Sequence, residues 1–345
     1  MRAVAALVES PGGPFTLRDV EIEPPRPDEI LVRITAAGIC HTDLIMRRNW
    51  PLLPMVFGHE GAGVVEAVGS QVTSVVPGDA VCLSFRSCGE CAQCRGGAPA
   101  YCLRSALNSR GARADGSSPL SRDGGVVYGN FFGQSSFATY AVAYESNTVK
   151  IPADLSPVLA APLGCSVQTG AGTVLNVFDP APGATVLVLG AGSVGLCAVM
   201  AAVARGCTVI AIDPVEARRD LATSFGASSA LPSLPNSGRA DFAIDTTGRP
   251  DVIDRALRSL QRQGTLALVG IGAKAEIDIM TVMTNGLRIR GVIEGDAVPT
   301  SLIPQLIDLQ LPLDKIITEY PFTEIETAAR DAFAGRVVKP VLRVS

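Results

Sequence analysis

Apolar positions along the chain follow two different periods, and the change falls near residue 162. Up to about residue 150, short apolar runs broken by glycine and proline predict β-strands over 29–34, 61–68, 79–84 and 137–142. The stretch 103–125 is polar, rich in glycine and serine and without periodicity. We expect it to be a surface excursion, that is, an irregular segment that leaves the sheet and runs over the surface. The first part of the chain is therefore predicted to be a β-rich module.

Beyond residue 162, predicted strands alternate with predicted helices. The strands are 185–189, 208–213, 241–245 and 265–270, and the helices are 193–204, 215–225 and 251–260. Strands joined by helices of this length pair in parallel through right-handed crossovers. The sequence therefore predicts an α/β fold in which this part is a doubly wound parallel sheet.

Length and composition narrow the class of protein. The chain has 345 residues, 47% apolar and 18% charged, which predicts two folded domains. Its net charge of -4 and the absence of any Lys/Arg block predict no nucleic-acid partner. The apolar run at the N-terminus is too short for a signal peptide, and glycines interrupt the uncharged run 185–204. We expect a cytoplasmic protein with no membrane segment.

Four cysteines lie close together in the segment 88–102. They are Cys88, Cys91, Cys94 and Cys102, with gaps of two, two and seven residues. Disulfides are the alternative, but no secretion signal is visible and two-residue gaps suit chelation better than bridging. The spacing predicts a structural Zn²⁺ enclosed by four thiolates.

Cys40, His59 and Cys165 remain outside that cluster. Two thiolates and an imidazole suit a second zinc ion that keeps one position open for substrate, as a catalytic zinc requires. The alternative is that these are unrelated buried side chains. We predict two zinc ions per subunit, one structural and one catalytic.

A glycine motif of the form G-x-G-x-x-G is formed by Gly190, Gly192 and Gly195, between a predicted strand and a predicted helix. Such a turn places a helix N-terminus against the pyrophosphate of a dinucleotide. Asp213 ends the next strand, where a carboxylate binds the adenosine ribose and favours NAD(H) over NADP(H). Arg218 either covers that ribose or lies on a solvated helix face. The predicted cofactor site also contains Ser193, Val194, Val269 and Val292.

Several motifs together resemble those of the zinc-dependent medium-chain alcohol dehydrogenase family, over essentially the whole chain. Cys40 lies in the run GICHTD, His59 in GHEGAG and Cys165 in GCSVQTG. The runs FGQSSFA at 132–138, QTGAG at 168–172 and EGD at 294–296 are most similar to the aryl (benzyl) alcohol dehydrogenase branch. The resemblance implies three parts: a GroES-like catalytic domain over 1–166, a Rossmann domain over 167–293, and a segment, 294–345, that returns to the catalytic domain.

The resemblance also implies roles for residues beside the catalytic zinc. Glu60 would approach the metal as an alternate ligand, and Asp43 would orient His59 through its other ring nitrogen. Thr42 would hydrogen-bond the substrate hydroxyl and begin a proton relay. Zinc would supply Lewis-acid chemistry for hydride transfer between an alcohol and NAD.

Three further residues are expected at the cofactor by the same resemblance. Thr169 would lie near the nicotinamide, and His41 and Lys339 would contact the pyrophosphate. Alternatively, His41 is an ordinary surface residue. Ile45 stands where well-known relatives carry a proton-relaying histidine, so the relay from Thr42 would end at water or at His41.

The predicted substrate pocket contains Thr42, Ile45, Trp50 and Phe85, although either aromatic residue has the alternative of filling the core. We therefore predict an NAD-dependent zinc alcohol dehydrogenase for aromatic or bulky apolar primary alcohols. The alternatives are a zinc oxidoreductase for a polyol or hydroxymethylglutathione, and a non-catalytic NAD-binding zinc protein. By resemblance we expect a homo-oligomer, either a dimer or a tetramer, often joined through the edge of the nucleotide-binding sheet.

Overall fold

The computed structural model describes residues 1–234 and 239–344, apart from the side chain of Leu107. Within them the strands, in chain order, are β1 (Arg2–Val8), β2 (Thr16–Ile22), β3 (Glu29–Gly38), β4 (Met55–Val56), β5 (Gly61–Val68), β6 (Ala80–Leu83), β7 (Leu120–Arg122), β8 (Gly125–Val127), β9 (Tyr140–Tyr144), β10 (Thr148–Lys150), β11 (Thr185–Leu189), β12 (Thr208–Ile212), β13 (Ser229–Leu231), β14 (Ala240–Asp245), β15 (Leu260–Leu268), β16 (Arg288–Gly291), β17 (Ile317–Pro321) and β18 (Lys339–Arg343). The α-helices are α1 (His41–Met46), α2 (Ala92–Arg95), α3 (Ala106–Ser109), α4 (Pro157–Ala160), α5 (Ser166–Gly172), α6 (Ser193–Ala204), α7 (Glu216–Ser224), α8 (Pro250–Ser259), α9 (Ile279–Asn285), α10 (Pro299–Asp308) and α11 (Ile325–Phe333).

The described chain divides into two compact units. Unit 1 comprises Met1–Cys165, Val298–Pro304 and Ile316–Ser345, and unit 2 comprises Ser166–Ala297 and Gln305–Lys315. The C-terminal segment predicted to return whole to the first module is thus shared between the units. In the part that belongs to unit 2, the ammonium group of Lys315 lies 5.8 Å from the ring centroid of Phe225.

Unit 1 is built on two sheets. One has the order β4-β1-β2-β7-β8, and the other has the order β10-β6-β5-β3-β18-β17, with β9 also paired to β3. Strand β3 is buried along nearly its whole length and pairs antiparallel with β5, β9 and β18. Fully buried side chains such as Leu7, Ile22, Ile34 and Phe57 belong to its common core. The β-rich module that the sequence predicts is confirmed.

Unit 2 contains a six-stranded sheet of order β13-β12-β11-β14-β15-β16, in which every pair is parallel. Numbered within the unit, this is the order 3-2-1-4-5-6 of a doubly wound dinucleotide-binding sheet. Strand β11 and helix α6 have the predicted bounds. The predicted doubly wound fold is therefore confirmed.

The stretch 103–125 differs from the predicted surface excursion. It contains α3 and supplies β7, which pairs antiparallel with β2. Arg113 is 3% exposed and donates hydrogen bonds of 2.6 and 2.9 Å to the buried Glu29. The polar composition of this stretch reflects a buried ion pair as well as a solvated loop.

None of the single helices among the described residues combines the length and the apolar character that a membrane crossing needs, although the bent pair Pro157–Gly164 and Ser166–Phe178 passes that test jointly.

Replacing Arg113 by glutamine should destabilise the protein by about 3–5 kcal/mol, because the Glu29 carboxylate would stay buried without its cation. Burial by itself raises the pKa of Glu29, but hydrogen bonds from Arg113 and from the Arg26 N–H hold it below 4.5. The difference in unfolding free energy between the wild type and the variant should therefore be fully present above pH 4.5. It should be lost as the pH falls through the lowered pKa of Glu29 in the folded protein. Urea unfolding at several pH values measures both effects.

The matched control is Arg258→Gln, which breaks an exposed pair with Asp254. Its stability should stay close to that of the wild type, because exposed ion pairs contribute little. Equal losses in the two variants would contradict the assignment of Arg113 as a buried structural cation.

Candidate metal and cofactor sites

Cys40, His59, Glu60 and Cys165 are brought together in unit 1. One ligand atom from each lies within 4.8 Å of the others. Cys40 is the residue that caps the N-terminus of α1, His59 and Glu60 directly precede β5, and Cys165 directly precedes α5. The cluster thus joins three segments that are far apart in the sequence, as the cysteine and histidine motifs predict.

Asp43 fixes the geometry of this cluster from a fully buried position. Its carboxylate accepts hydrogen bonds from the N–H groups of Cys40 at 3.0 Å and Gly58 at 3.1 Å, and it lies 2.9 Å from Nδ1 of His59. A carboxylate only accepts, so Nδ1 carries the proton. The predicted orienting role of Asp43 matches this placement.

The remaining ring nitrogen of His59 fits a metal ion. Nε2 is buried, and no hydrogen-bond partner for it lies among the described residues. A buried polar atom of this kind is costly unless a ligand satisfies it. Together with the soft thiol groups of Cys40 and Cys165, an imidazole nitrogen forms a donor set suited to Zn²⁺.

The charges in the cluster favour the same occupant. A hydrogen bond from Cys165 lowers the pKa of the Cys40 thiol well below its ordinary value, in spite of burial. Burial lowers the pKa of His59, but the charges of Asp43 and Cys40 outweigh it and raise the pKa well above the ordinary value. The site therefore stabilises the thiolate of Cys40, which is the form of cysteine that binds a metal ion.

Glu60 and Lys339 form a buried ion pair beside the cluster, with 2.5 Å between Oε2 and Nζ. Burial raises the pKa of Glu60 to about 7, against the opposing effect of the Lys339 charge. Lys339 is 1% exposed and also donates to the Ile39 carbonyl oxygen at 3.2 Å. In this structure the Lys339 ammonium group is engaged with Glu60, and its contact with the cofactor pyrophosphate stays a prediction.

The other predicted residues on α1 are more exposed. Thr42 is half-buried, and its Oγ1 lies 3.7 Å from Sγ of Cys40. His41 is exposed, and its ring lies parallel to that of Phe333 with centroids 6.4 Å apart. Ile45 is half-buried on the same helix. Of these three residues, Thr42 is the one whose side chain lies against a member of the Cys40, His59, Glu60 and Cys165 cluster.

An aromatic cluster borders His59. The ring of Phe132 stacks on the imidazole with centroids 4.6 Å apart, and Phe131 meets it edge-on at 5.6 Å. Trp50 lies behind Phe131 at 5.2 Å and is buried, as is Phe85. The predicted substrate pocket does not include Phe131 and Phe132, although the run FGQSSFA that contains Phe132 pointed to this segment.

The four cysteines of the segment 88–102 also meet in space, with one Sγ from each within 4.8 Å of the others. None is in a disulfide. Backbone N–H groups of Cys94 and Leu103 lower the pKa of Cys91 to about 6, whereas burial and the neighbouring thiols raise that of Cys94 to about 12. Several thiolates this close repel one another unless a cation binds them, so the cluster fits the predicted structural zinc.

The glycine turn of unit 2 has the geometry that a dinucleotide site requires. Gly190 has φ of +90°, and a Cβ on Gly195 would lie 1.8 Å from the Gly190 carbonyl oxygen. Helix α6 therefore packs directly on the turn. The hydroxyl of Ser193, in the first turn of α6, is buried, and the described residues offer it no hydrogen-bond partner. This orphaned donor at a helix N-terminus fits a phosphate group.

Asp213 lies beside this turn. Its carboxylate accepts hydrogen bonds from the N–H groups of Ala191 and Val215, both at 2.8 Å, and lies 3.8 Å from Arg218. Asp213, which is predicted to bind the ribose, therefore also stabilises the glycine turn by its hydrogen bond from Ala191. Arg218 is partly buried beside this carboxylate, which is a different setting from a fully solvated helix face.

The remaining predicted cofactor residues also lie in unit 2. Val269 follows β15 and Val292 follows β16, at the carboxyl ends of two parallel strands. Thr169 lies in α5 and donates to Glu294 at 3.4 Å. Val194 follows Ser193 in α6.

Two family models match the chain. The alcohol dehydrogenase GroES-like domain matches residues 26–153, and the zinc-binding dehydrogenase domain matches residues 193–310. The GroES-like nature of the first unit, expected from the motifs, is thereby confirmed.

Curated and solved relatives extend over the whole chain. A geraniol dehydrogenase from Castellaniella defragrans is 42% identical, with 99% of this chain and 97% of that protein covered. A zinc-binding domain protein of alcohol dehydrogenase type from Burkholderia ambifaria has a TM-score of 0.97 at 42% identity, covering 100% of this chain and 99% of the other. A benzyl alcohol dehydrogenase from Acinetobacter calcoaceticus has a TM-score of 0.95 at 38% identity and full coverage of both chains.

Replacing Cys91 by serine should remove one zinc ion per subunit and lower the melting temperature by roughly 5 °C or more, because the metal bound by this cluster contributes folding free energy. Cys207→Ser is the matched control, since Cys207 is half-buried outside both clusters. Elemental analysis and calorimetry measure the two effects. An unchanged metal content and melting curve for Cys91→Ser would argue against the structural zinc.

Proposed function

We propose that this chain, which belongs to the zinc-dependent medium-chain alcohol dehydrogenase family, oxidises aromatic or bulky apolar primary alcohols with NAD⁺ and carries two zinc ions per subunit. The balanced reaction is alcohol plus NAD⁺ giving aldehyde plus NADH and a proton. The observation that carries the proposal is the cluster of Cys40, His59 and Cys165, in which the buried Nε2 of His59 has no hydrogen-bond partner among the described residues and lies close to two thiol groups. When bound, zinc would supply a Lewis acid for the alcohol oxygen, and the nicotinamide would supply a hydride acceptor.

Residues of the chain itself would hold and orient these groups. Cys40, His59 and Cys165 would hold the metal, with Asp43 fixing the proton on Nδ1 of His59. Glu60 would serve as an alternate ligand whose charge Lys339 balances. The hydroxyl of Thr42, 3.7 Å from Sγ of Cys40, would hydrogen-bond the alcohol and take up its proton.

The proton then needs a route to solvent. Ile45 has no titratable group, so the relay from Thr42 would pass through the cofactor ribose to water or to His41. The exposure of His41 supports its access to solvent, and its place on α1 keeps it next to Thr42 in the chain.

The aromatic rings at His59 support an apolar substrate. Phe132 covers one face of the imidazole and Phe131 its edge, so the surroundings of the metal ligands are apolar on this side. The relatives named for geraniol and benzyl alcohol act, by those names, on primary alcohols with an unsaturated carbon next to the carbinol. We propose the same chemical class for this chain, with Trp50 and Phe85 supporting the pocket from buried positions.

The cofactor proposed is NAD(H). Supporting it are the glycine turn, the orphaned Ser193 hydroxyl and the carboxylate of Asp213 at the end of β12. A carboxylate there would repel the 2′-phosphate of NADP. Thr169, Val269 and Val292 are proposed to border the nicotinamide end of the cofactor.

A homo-oligomer formed through unit 2 is also proposed. Strand β16 is the edge of the parallel sheet, and the neighbouring segment exposes large apolar side chains that a second copy would cover. These are Ile271, Ile279, Met280, Met283 and Ile293, each more than half exposed. A second copy suits this face because two equivalent sheet edges can pair symmetrically.

The proposed compartment is the cytoplasm. None of the nine cysteines is in a disulfide, and both clusters of thiol groups would require a reducing environment to bind metal.

A panel of alcohols with NAD⁺, combined with elemental analysis, tests the proposed function. We expect two zinc ions per subunit, and a kcat/KM for benzyl alcohol and geraniol about 100-fold or more above that for sorbitol or hydroxymethylglutathione. Replacing Cys40 by serine should reduce turnover at least about 1,000-fold in a protein that still folds, because a metal ligand is lost. Cys207→Ser should keep wild-type turnover. A preference for the polyol or the glutathione adduct would overturn the substrate class, and turnover retained by Cys40→Ser would overturn the metal assignment.

Replacing Asp213 by glycine should lower the ratio of kcat/KM for NAD⁺ to that for NADP⁺ roughly 10- to 100-fold, because charge-assisted bonds to the ribose are lost and repulsion of the phosphate is relieved. Since Asp213 also braces the turn through Ala191, activity with NAD⁺ should fall as well. Asp213→Asn, which keeps one acceptor oxygen, should give an intermediate ratio. Steady-state kinetics with both cofactors measures it, and an unaltered ratio would show that another group reads the ribose.

A further inference from the structure

Gln134 is a fully buried residue of unit 1 that the proposed chemistry does not use. Its side-chain oxygen accepts a hydrogen bond from the Gly61 N–H at 3.0 Å. Its side-chain nitrogen donates to the carbonyl oxygens of His59 and Ser84, both at 2.9 Å. The amide thus uses its oxygen and both N–H groups on main-chain atoms, and it brackets Glu60 by binding the residues on either side.

Ser84 extends this network to the segment that contains Cys165. Its hydroxyl donates to the Gly164 carbonyl oxygen at 2.7 Å, directly before Cys165. The two segments are in close backbone contact, since a Cβ on Gly164 would lie 1.9 Å from the carbonyl oxygen of Leu83. A continuous path of buried hydrogen bonds therefore runs from His59 through Gln134 and Ser84 to the residue before Cys165.

We propose that Gln134 and Ser84 are positioning residues that hold the His59 and Cys165 segments at the separation a metal ion requires, and thereby set the affinity of this cluster for zinc. His59 and Cys165 are distant in the sequence, so only tertiary bonds can fix their spacing. Asp43 performs this task for Cys40 and His59, and its hydrogen bonds do not reach Cys165. The proposal rests on the proposed function only in taking zinc as the occupant.

The physical reason is the tolerance of metal coordination. Ligand distances are productive only within about 0.2 Å, and groups that orient ligands from outside commonly change metal affinity 10- to 100-fold. In a buried, low-dielectric site the hydrogen bonds of Gln134 are strong, and their loss removes a partner from the His59 carbonyl oxygen and from the Gly61 N–H. The His59 segment would then move to recover partners, and the ligand spacing would move with it.

The test compares zinc retention in the wild-type protein and in the full-length Gln134→Met variant. Methionine keeps the side-chain length and removes all three hydrogen bonds. Samples are dialysed against increasing dipicolinate, and zinc per subunit is measured by elemental analysis. We expect the more labile zinc to be lost at a chelator concentration about 10- to 100-fold lower than in the wild type. The zinc of the four-cysteine cluster should be retained and serves as an internal reference.

A control and a spectroscopic readout separate positioning from general loss of stability. Ile22→Ala removes buried volume from β2, in the sheet that carries none of the ligands, and should lower the melting temperature without changing zinc retention. With Co²⁺ in the labile site, the ligand-field absorption bands of Gln134→Met should shift relative to the wild type, and those of Ile22→Ala should not.

Ser84→Ala provides a second variant that tests the same path if Gln134→Met fails to fold. It removes the bond to Gly164 and should also weaken zinc retention and shift the Co²⁺ bands. Wild-type retention and spectra in the variants that fold would overturn this inference alone. A wild-type protein with no chelator-labile zinc would overturn the proposed function, and this inference with it.

Discussion

The buried carboxylate of Asp43 is the constraint on which the cluster of Cys40, His59 and Cys165 depends. A charged group without exposure persists only when it is fully hydrogen-bonded, and here the N–H groups of Cys40 and Gly58 and Nδ1 of His59 surround it. Each bond has a separate consequence. The first fixes the start of α1, the second fixes the turn before β5, and the third leaves Nε2 of His59 as the nitrogen that faces the thiol groups. The tautomer and direction of the imidazole are thus set by the fold, before any metal binds.

The burial of a second carboxylate, that of Glu60, explains why the end of the chain belongs to unit 1. Glu60 is fully buried next to groups that become thiolates, so its own charge would be unfavourable there without a cation. Lys339 supplies that cation from the first residue of β18, which pairs with β3 and so lies beside the cluster. The strand pairing and the ion pair support each other, because β18 carries the lysine to its partner. A bound metal then has to balance only the charge of its own ligands.

Features encoded by neighbouring residues were predictable, and so was the set of Cys40, His59 and Cys165, because each of these distant residues lies in a motif of its own. Ion pairs between distant residues outside such motifs were not predictable. The spacing of the cysteines, the glycine turn before α6 and the alternation of strands and helices in unit 2 each occupy one short segment, and their patterns predicted them. The ion pair of Arg113 with Glu29 joins residues 84 apart, and Lys339 bonds a carbonyl oxygen 300 residues away. Nothing in the local pattern around either cation specifies such a partner. The stretch that contains Arg113 was therefore expected on the surface, and the pyrophosphate contact that the resemblance implies for Lys339 stays a prediction.

The aromatic wall of the site shows how such distant bonds reach the chemistry. Phe132 has φ of +53°, a left-handed conformation that costs a residue with a side chain about 1–3 kcal/mol and persists only where its surroundings enforce it. Asn147 supplies this enforcement, because its side-chain nitrogen donates to the carbonyl oxygens of Phe132 at 3.3 Å and Gly133 at 3.0 Å. The same nitrogen lies 3.2 Å from the carbonyl oxygen of Ser84. The ring that stacks on His59 is therefore held by an amide that also contacts Ser84, so the position of this ring and the connection between the His59 and Cys165 segments share one buried residue.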